Sequence, residues 1–130
     1  MKKSIPLWVN IVAILLTLSG FAFSINLYLS PQTFFPKADF LAIDVRHFTD
    51  MWAIRQFAIG VLFSYALIRQ DAIILKTMII FVTLINVITI PIVIIKFDKQ
   101  LLIESIVFSV IGIALIFAII KRQKYINSAK

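Results

Sequence analysis

The sequence predicts an all-α integral membrane protein, a four-helix transmembrane bundle, on two observations. Four long apolar runs occupy most of the 130 residues, at about 5–29, 51–68, 73–95 and 101–120. Each run is close to the roughly 20 residues that an α-helix needs to cross a hydrocarbon core. Hydrophobic residues also make up 62% of the chain, and the mean hydropathy is +1.03, far above the soluble average. We therefore expect a single transmembrane domain that covers residues 1–130.

The first apolar run, 5–29, follows the basic pair Lys2-Lys3 and ends at Ser30-Pro31, because a residue before proline avoids the α conformation. A cleaved signal peptide is the alternative interpretation, since Ala22-Phe23-Ser24 offers small residues at a cleavage point. The apolar stretch is longer than the core of a usual signal peptide. Its length favours a retained transmembrane helix.

The connector at 30–50 is the only long one, and it is too apolar for a solvated loop. Its large apolar side chains are Phe34, Phe35, Phe40, Leu41, Ile43, Val45 and Phe48. Phe35-Pro36 breaks the chain a second time. We expect this segment to lie in the membrane interface or to fold back over the outer ends of the helices.

The other connectors are short turns, at 69–72 and 96–100, and each makes its flanking helices antiparallel. The tail from Lys121 is expected to be a short, frayed basic end. Lysine and arginine are more frequent on one side of the predicted membrane, which places both termini in the cytoplasm by the positive-inside rule. The inner set is Lys2, Lys3, Arg69, Lys76, Lys121, Arg122, Lys124 and Lys130, and the outer set is Lys37, Arg46, Lys96 and Lys99.

Small residues line one face of three of the predicted helices. Helical spacing places Gly20 on one face of the first helix with Thr17 and Ser24. It likewise groups Gly60 with Ser64 in the second helix and Ser109 with Gly112 in the fourth. Such faces let membrane helices approach closely, so we interpret them as helix-packing positions. A polar lining for a substrate path is the alternative.

Arg55 is the strongest candidate for a functional residue, because a charge within a membrane helix is expensive. It lies about five residues, or roughly 7.5 Å, inside the second run. Glu104 occupies a similar depth in the fourth, so the sequence predicts an Arg55–Glu104 ion pair. If the chain before Met51 is already helical, Asp44 and His47 share a face with Arg55.

Asn86 of the third helix completes this candidate polar cluster. A structural interpretation is an ion pair that pins two helices, or an arginine that extends to lipid phosphates. A functional interpretation is a site for an anionic headgroup, a quinone-like ring or a proton. The residues alone leave both open.

Several classes of site are not indicated. The chain has no Cys, and its single His47 lacks the spacing of metal ligands, so neither a metal nor a cofactor is expected. No serine lies in a nucleophile context, and the glycines are isolated, so no catalytic residue is predicted. The net charge of +7 comes from the ends of the apolar runs, which argues against a nucleic-acid partner.

Two segments of the chain form a recognisable pattern: the first helix ends at Leu29-Ser30-Pro31, and the second carries Ala53-Ile54-Arg55-Gln56-Phe57-Ala58-Ile59-Gly60. This order of elements and this motif resemble the DoxX-like group of small four-helix bacterial membrane proteins. The second segment looks like the alanine–arginine–glycine pattern of those families, which makes Arg55 and Gly60 motif positions. The resemblance implies a multi-pass protein of the bacterial inner membrane. Some members are associated with membrane redox complexes, and most have no assigned activity.

Relatives often carry an acidic residue directly after the arginine and an aspartate in the third helix. This chain has Gln56 and Asn86 at those places. The difference argues against ion-handling chemistry shared with those relatives. The leading prediction is therefore a non-enzymatic module that binds lipid, a quinone-like ligand or a membrane partner, including a second copy of the chain. The alternatives are a transporter or channel-type oligomer, and a lipid-modifying isomerase with Glu104 or His47 as proton carrier.

Overall fold

The computed structural model describes residues 5–96 and 99–129, and this part of the chain is all-α. Its helices are α1 (Leu7–Leu29), α2 (Ile43–Arg69), α3 (Ala72–Lys96) and α4 (Lys99–Ser128), with one 3₁₀ turn at Pro31–Thr33. All four α-helices are long and apolar enough to cross a membrane. The predicted all-α class with four membrane-spanning helices is confirmed. Among the residues singled out from the sequence, Lys2, Lys3 and Lys130 lie outside the described residues, as do positions 97 and 98 of the predicted turn at 96–100.

Two helices extend well beyond their predicted limits. α2 begins at Ile43 rather than at 51, and α4 continues to Ser128 rather than ending at 120. The predicted limits follow hydropathy, but polar residues outside the hydrocarbon continue a helix readily. Asp44 lies in the first turn of α2, where a negative charge interacts favourably with the helix dipole. The expectation of a frayed tail from Lys121 is wrong, because this segment is helical.

The chain divides into two compact units. The α1–α2 unit is Ile11–Leu67, and the α3–α4 unit is Met1–Asn10 together with Ile68–Lys130. The second therefore includes the start of α1. The prediction of a single domain stays a prediction.

In the α1–α2 unit, the connector folds back over the end of α1 and the start of α2, which is one of the two predicted arrangements. The ring of Phe34 lies 4.9 Å from that of Phe23 on α1, edge to face. The ring of Phe35 lies 5.7 Å from that of Trp52 on α2. Trp52 also contacts Phe23 at 5.8 Å, so these four aromatic side chains join the connector to both helices.

In the α3–α4 unit, the predicted tight turn joins α2 to α3. Gln70 adopts a left-handed backbone with φ 51°, which ends α2. Asp71 then caps α3, because its Oδ1 accepts hydrogen bonds from the backbone N–H groups of Ile73 (2.9 Å) and Ile74 (3.1 Å). The amides of Asn10 and Gln70 bond reciprocally at 3.1 and 3.2 Å, which ties the start of α1 to this turn.

Candidate functional site

The early start of α2 meets the condition for the predicted polar face. Asp44, His47, Met51 and Arg55 all belong to one continuous helix, at spacings that place them along one side. All four side chains are exposed. α2 is long and apolar enough to cross a membrane, and Arg55 lies within this helix.

A surface pocket of about 280 Å³ lies on this side of α2. Its lining residues are Phe48, Met51, Trp52 and Arg55, at positions i, i+3, i+4 and i+7. Three walls are therefore apolar or aromatic, and the fourth is a guanidinium. The sequence predicts Arg55 as a site residue, but it does not predict the aromatic walls beside it.

The contacts of Trp52 hold one wall of the pocket in place. Its ring packs against Phe23 of α1 and Phe35 of the connector, so its position depends on three segments of the α1–α2 unit. Such packing restricts the rotamers of the indole before any ligand arrives. Because this wall is already ordered, less conformational entropy is lost when a ligand binds.

Arg46 makes contacts that the sequence analysis does not identify. Its Nη2 donates to the backbone oxygen of Tyr28 at 3.2 Å, and its Nε donates to Asp50 Oδ2 at 3.4 Å. Tyr28 lies in the last turn of α1, where carbonyl groups lack helical partners and a cation is favoured. The spacing of Arg46 and Asp50 at i, i+4 was the available signal, but it is informative only if residues 43–50 are helical.

The carboxylate of Asp50 is incompletely hydrogen-bonded. Its Oδ1 lies 3.2 Å from Arg46 Nε, within ion-pair distance, yet this buried atom accepts no hydrogen bond because the N–H is directed to Oδ2. We regard the interaction as an ion pair of ordinary strength, since the two side chains remain 41% and 30% exposed.

The other predicted cluster residues lie in the α3–α4 unit. Glu104 is exposed, and its Oε1 accepts a hydrogen bond from Gln100 Nε2 at 3.3 Å. Asn86 is half-buried and donates to the Val82 carbonyl at 2.9 Å, one turn back along α3. Arg55 and Glu104 belong to different units, and their pairing stays a prediction.

Two of the predicted packing glycines lie against side chains of a neighbouring helix. A Cβ at Gly60 would lie 2.9 Å from the ring of Phe21, which packs edge to face on Phe57 at 5.1 Å. A Cβ at Gly112 would overlap Thr83 Oγ1 on α3. These glycines allow the α1–α2 and α3–α4 approaches respectively.

The remaining packing residues differ from one another. Ser109 is buried and donates to the Ser105 carbonyl at 2.7 Å, and half-buried Ser64 donates to the Gly60 carbonyl at 2.9 Å. A Cβ at Gly20 would meet nothing within 4 Å among the described residues, so no close helix approach is observed there. The small-residue pattern therefore identifies packing positions only where a partner side chain faces them.

Comparison with known proteins adds no relative. No protein-family model, curated protein or solved structure matches the chain. Within the described residues, no group of three or more His, Asp or Glu side chains is placed to hold a metal ion. The pocket on α2 is therefore the candidate site, and its function is argued from its own chemistry.

Proposed function

We propose that this chain is a small, non-enzymatic, multi-pass membrane protein that binds a membrane lipid in the α2 pocket. The proposal is carried by one observation: a single guanidinium, Arg55, adjoins the apolar walls formed by Phe48, Met51 and Trp52. A phospholipid has the complementary chemistry, a phosphate followed by acyl chains. Arginine suits phosphate oxygens because its planar fork can donate two parallel hydrogen bonds.

The direction of α2 supports this assignment. Side chains of an α-helix lean toward its N-terminus, so Arg55 leans toward the polar segment that carries Asp50 and Arg46. That end of α2 corresponds to the outer membrane surface in the predicted topology. The guanidinium therefore extends toward the headgroup layer and reaches the level of Met51, which lies about one turn nearer that layer. A phosphate bound there would lie beside Met51, with its acyl chains directed toward the bilayer centre.

A quinone-like ring is the second candidate ligand, and the aromatic lining favours it. Phe48 and Trp52 offer ring surfaces for stacking, and Arg55 can donate a hydrogen bond to a quinone carbonyl. A partner protein would need a larger complementary surface than this pocket supplies. We therefore rank the lipid first and the quinone-like ring second.

The two tryptophans of the chain, Trp8 and Trp52, make a direct test available. In a Trp8→Phe background, Trp52 is the sole indole and lines the pocket. Brominated phospholipids quench tryptophan on contact, so quenching in reconstituted vesicles measures lipid occupancy. We expect Arg55→Gln to weaken occupancy about tenfold, since a hydrogen bond to a charged group contributes roughly 1.5 kcal/mol at the lower end of its range.

Lys37→Gln is the matched control, because it removes an exposed cation from the connector without touching the pocket. If brominated lipid quenched Trp52 equally with and without the Arg55→Gln substitution, the lipid site would be refuted. Quenching by a short-chain quinone that requires Arg55, with unchanged brominated-lipid quenching, would select the second candidate.

The remaining parts of the proposal concern class and place. We propose membership of the DoxX-like group and location in a bacterial inner membrane with both termini in the cytoplasm, on the motif Ala53–Gly60 and on the charge distribution. A transporter or channel would give solute flux in proteoliposomes, and a lipid isomerase would change the lipid profile of a deletion strain. We expect neither change, because a lipid-binding module requires neither transport nor a chemical step.

A further inference from the structure

The end of the α3–α4 unit opposite Lys99 carries a concentrated positive charge. We name this set of residues the basic end: Arg69, Lys76, Lys121, Arg122 and Lys124. It lies in one place because α3 and α4 pack against each other, and Lys76 Nζ near the start of α3 donates to Gln123 Oε1 near the end of α4 at 3.2 Å. The acidic residue in these segments is Asp71, whose Oδ1 is occupied by the cap of α3.

The helical extension of α4 fixes the position of these cations. α4 has 30 residues, so it is about 45 Å long and exceeds a hydrocarbon core of about 30 Å. Its apolar run ends at Ile120, which places Lys121 and the residues after it at headgroup level. Ile119 is buried and Gln123 bonds to Lys76, so the extension is held against α3 rather than free.

One face of α4 changes from apolar to cationic at this level. Val110, Ile113 and Phe117 are exposed along it, and the exposed Lys121 and Lys124 continue the same face at i+4 and i+7 from Phe117. Neither lysine forms an ion pair with a described residue. An aromatic neighbour, Tyr125, lies 5.8 Å from the Arg122 guanidinium and suits the membrane interface.

We propose that the basic end is a binding site for anionic phospholipid, distinct from the α2 pocket. The headgroup phosphate would contact Lys121 and Lys124, and the acyl chains would lie along Phe117 and Ile113. The chemistry selects a net-negative headgroup, because several cations share one small area with a single capped carboxylate. A helix held in place orders the lysines before the lipid arrives, which favours a defined site over diffuse attraction.

Trp8 lies at the same end of the α3–α4 unit as these cations. It lies two residues before Asn10, whose amide bonds to Gln70 at the turn that begins the basic end, and its side chain is exposed. In a Trp52→Phe background, Trp8 is the sole indole. The proposal is tested by comparing quenching of Trp8 by brominated phosphatidylglycerol and by brominated phosphatidylcholine in otherwise identical vesicles.

We expect brominated phosphatidylglycerol to quench Trp8 more strongly than brominated phosphatidylcholine does, and we call this difference the preference. Lys121→Gln and Lys124→Gln should each lower that preference about fivefold at low ionic strength. The reason is that one cation near an anionic membrane surface contributes about 1 kcal/mol of binding free energy, which corresponds to that factor. The Lys121→Arg, Lys124→Arg double variant keeps the charge and should keep the preference. Lys99→Gln, at the other end of α4, should not change it.

Equal quenching of wild-type Trp8 by the two lipids would overturn the proposal, as would a preference that survives both glutamine substitutions. If inorganic phosphate abolished the preference while sodium chloride at equal ionic strength did not, the site would bind free phosphate rather than lipid, which also overturns the proposal. If a variant failed to reconstitute, its far-UV circular dichroism would show this, and the arginine variant would still decide the charge dependence. Because Trp52 reads the α2 pocket and Trp8 reads the basic end, failure of one site is distinguishable from failure of the other.

Discussion

The contact between Gly112 and Thr83 gives a stability prediction whose sign can be worked from the structure. In Gly112→Ala, the new Cβ would overlap Thr83 Oγ1 and would lie 3.1 Å from Thr83 Cβ and 3.2 Å from Cγ2. Rotation of the threonine side chain can move Oγ1 away, but Cγ2 and Cβ crowd the same position at 3.2 and 3.1 Å, which is tighter than an ordinary contact. α3 and α4 must therefore separate, at a cost in the overpacking range of about 1–3 kcal/mol.

Two terms oppose each other in this substitution. Alanine is the better helix former by about 1 kcal/mol, which offsets part of the overpacking cost. The difference is a range of about 0–2 kcal/mol, and we expect a net loss of about 1 kcal/mol in the free energy of unfolding, because tight contacts with Thr83 Cβ and Cγ2 remain. Gly20→Ala is the matched control, since its Cβ would meet open space. It should stabilise the chain by up to about 1 kcal/mol through helix propensity alone.

The measurement is an SDS titration of the chain in mixed micelles, followed by far-UV circular dichroism. Thr83→Ala removes the Oγ1 and Cγ2 atoms, so Gly112→Ala should cost less in that background than alone, with a coupling of about 1 kcal/mol. Parallel shifts of Gly112→Ala and Gly20→Ala would refute the reasoning. Additivity of the Gly112 and Thr83 substitutions would show that the two residues do not meet.

Three further predictions follow from the same structure. Arg46→Ala should lower the unfolding free energy by about 1–2 kcal/mol in the same titration, because it removes the bonds to Asp50 and to the end of α1, whereas Asp50→Asn should cost less. In a double-mutant cycle of Arg55→Ala and Glu104→Gln, the changes in unfolding free energy should be non-additive if the predicted ion pair forms. Additive changes would show that the two residues do not interact, and the lipid headgroup would then be the proposed partner of Arg55. Reporter fusions should read outside, inside, outside and inside, and a cytoplasmic signal at the third site would contradict the topology. The fusion sites are Gln32, Gln70, Lys99 and Lys130.

The apolar part of the fold was predictable because hydrocarbon demands long, nearly uncharged helices, and the four runs satisfy that demand. The helix ends were less predictable. Beyond the hydrocarbon, helicity depends on local capping and packing, such as Asp44 in the first turn of α2 and the Lys76–Gln123 bond at the end of α4. Hydropathy contains no information about either.

The candidate site was predictable in part for a related reason. Arg55 stands out because a charge within an apolar run is costly, so its presence implies a use. The aromatic walls do not stand out, because Phe48 and Trp52 resemble the many other aromatic residues of the chain. Trp52 lies about one turn before Arg55, and Phe48 lies two turns before it only because α2 begins early. Likewise, the partner of Gly112 depends on the rotation of α3 about its axis, which periodicity does not fix.

The reciprocal amide bond between Asn10 and Gln70 has a consequence for biosynthesis. The two residues are 60 positions apart, so at about 5–20 residues per second the ribosome adds Gln70 about 3–12 s after Asn10. During that interval the buried amide of Asn10 lacks its partner, and an unpaired amide near hydrocarbon is unfavourable. The bond that ties the start of α1 to the α2–α3 turn therefore forms only after α2 has been synthesised, and a chain stalled before Gln70 would leave the Asn10 amide to another partner.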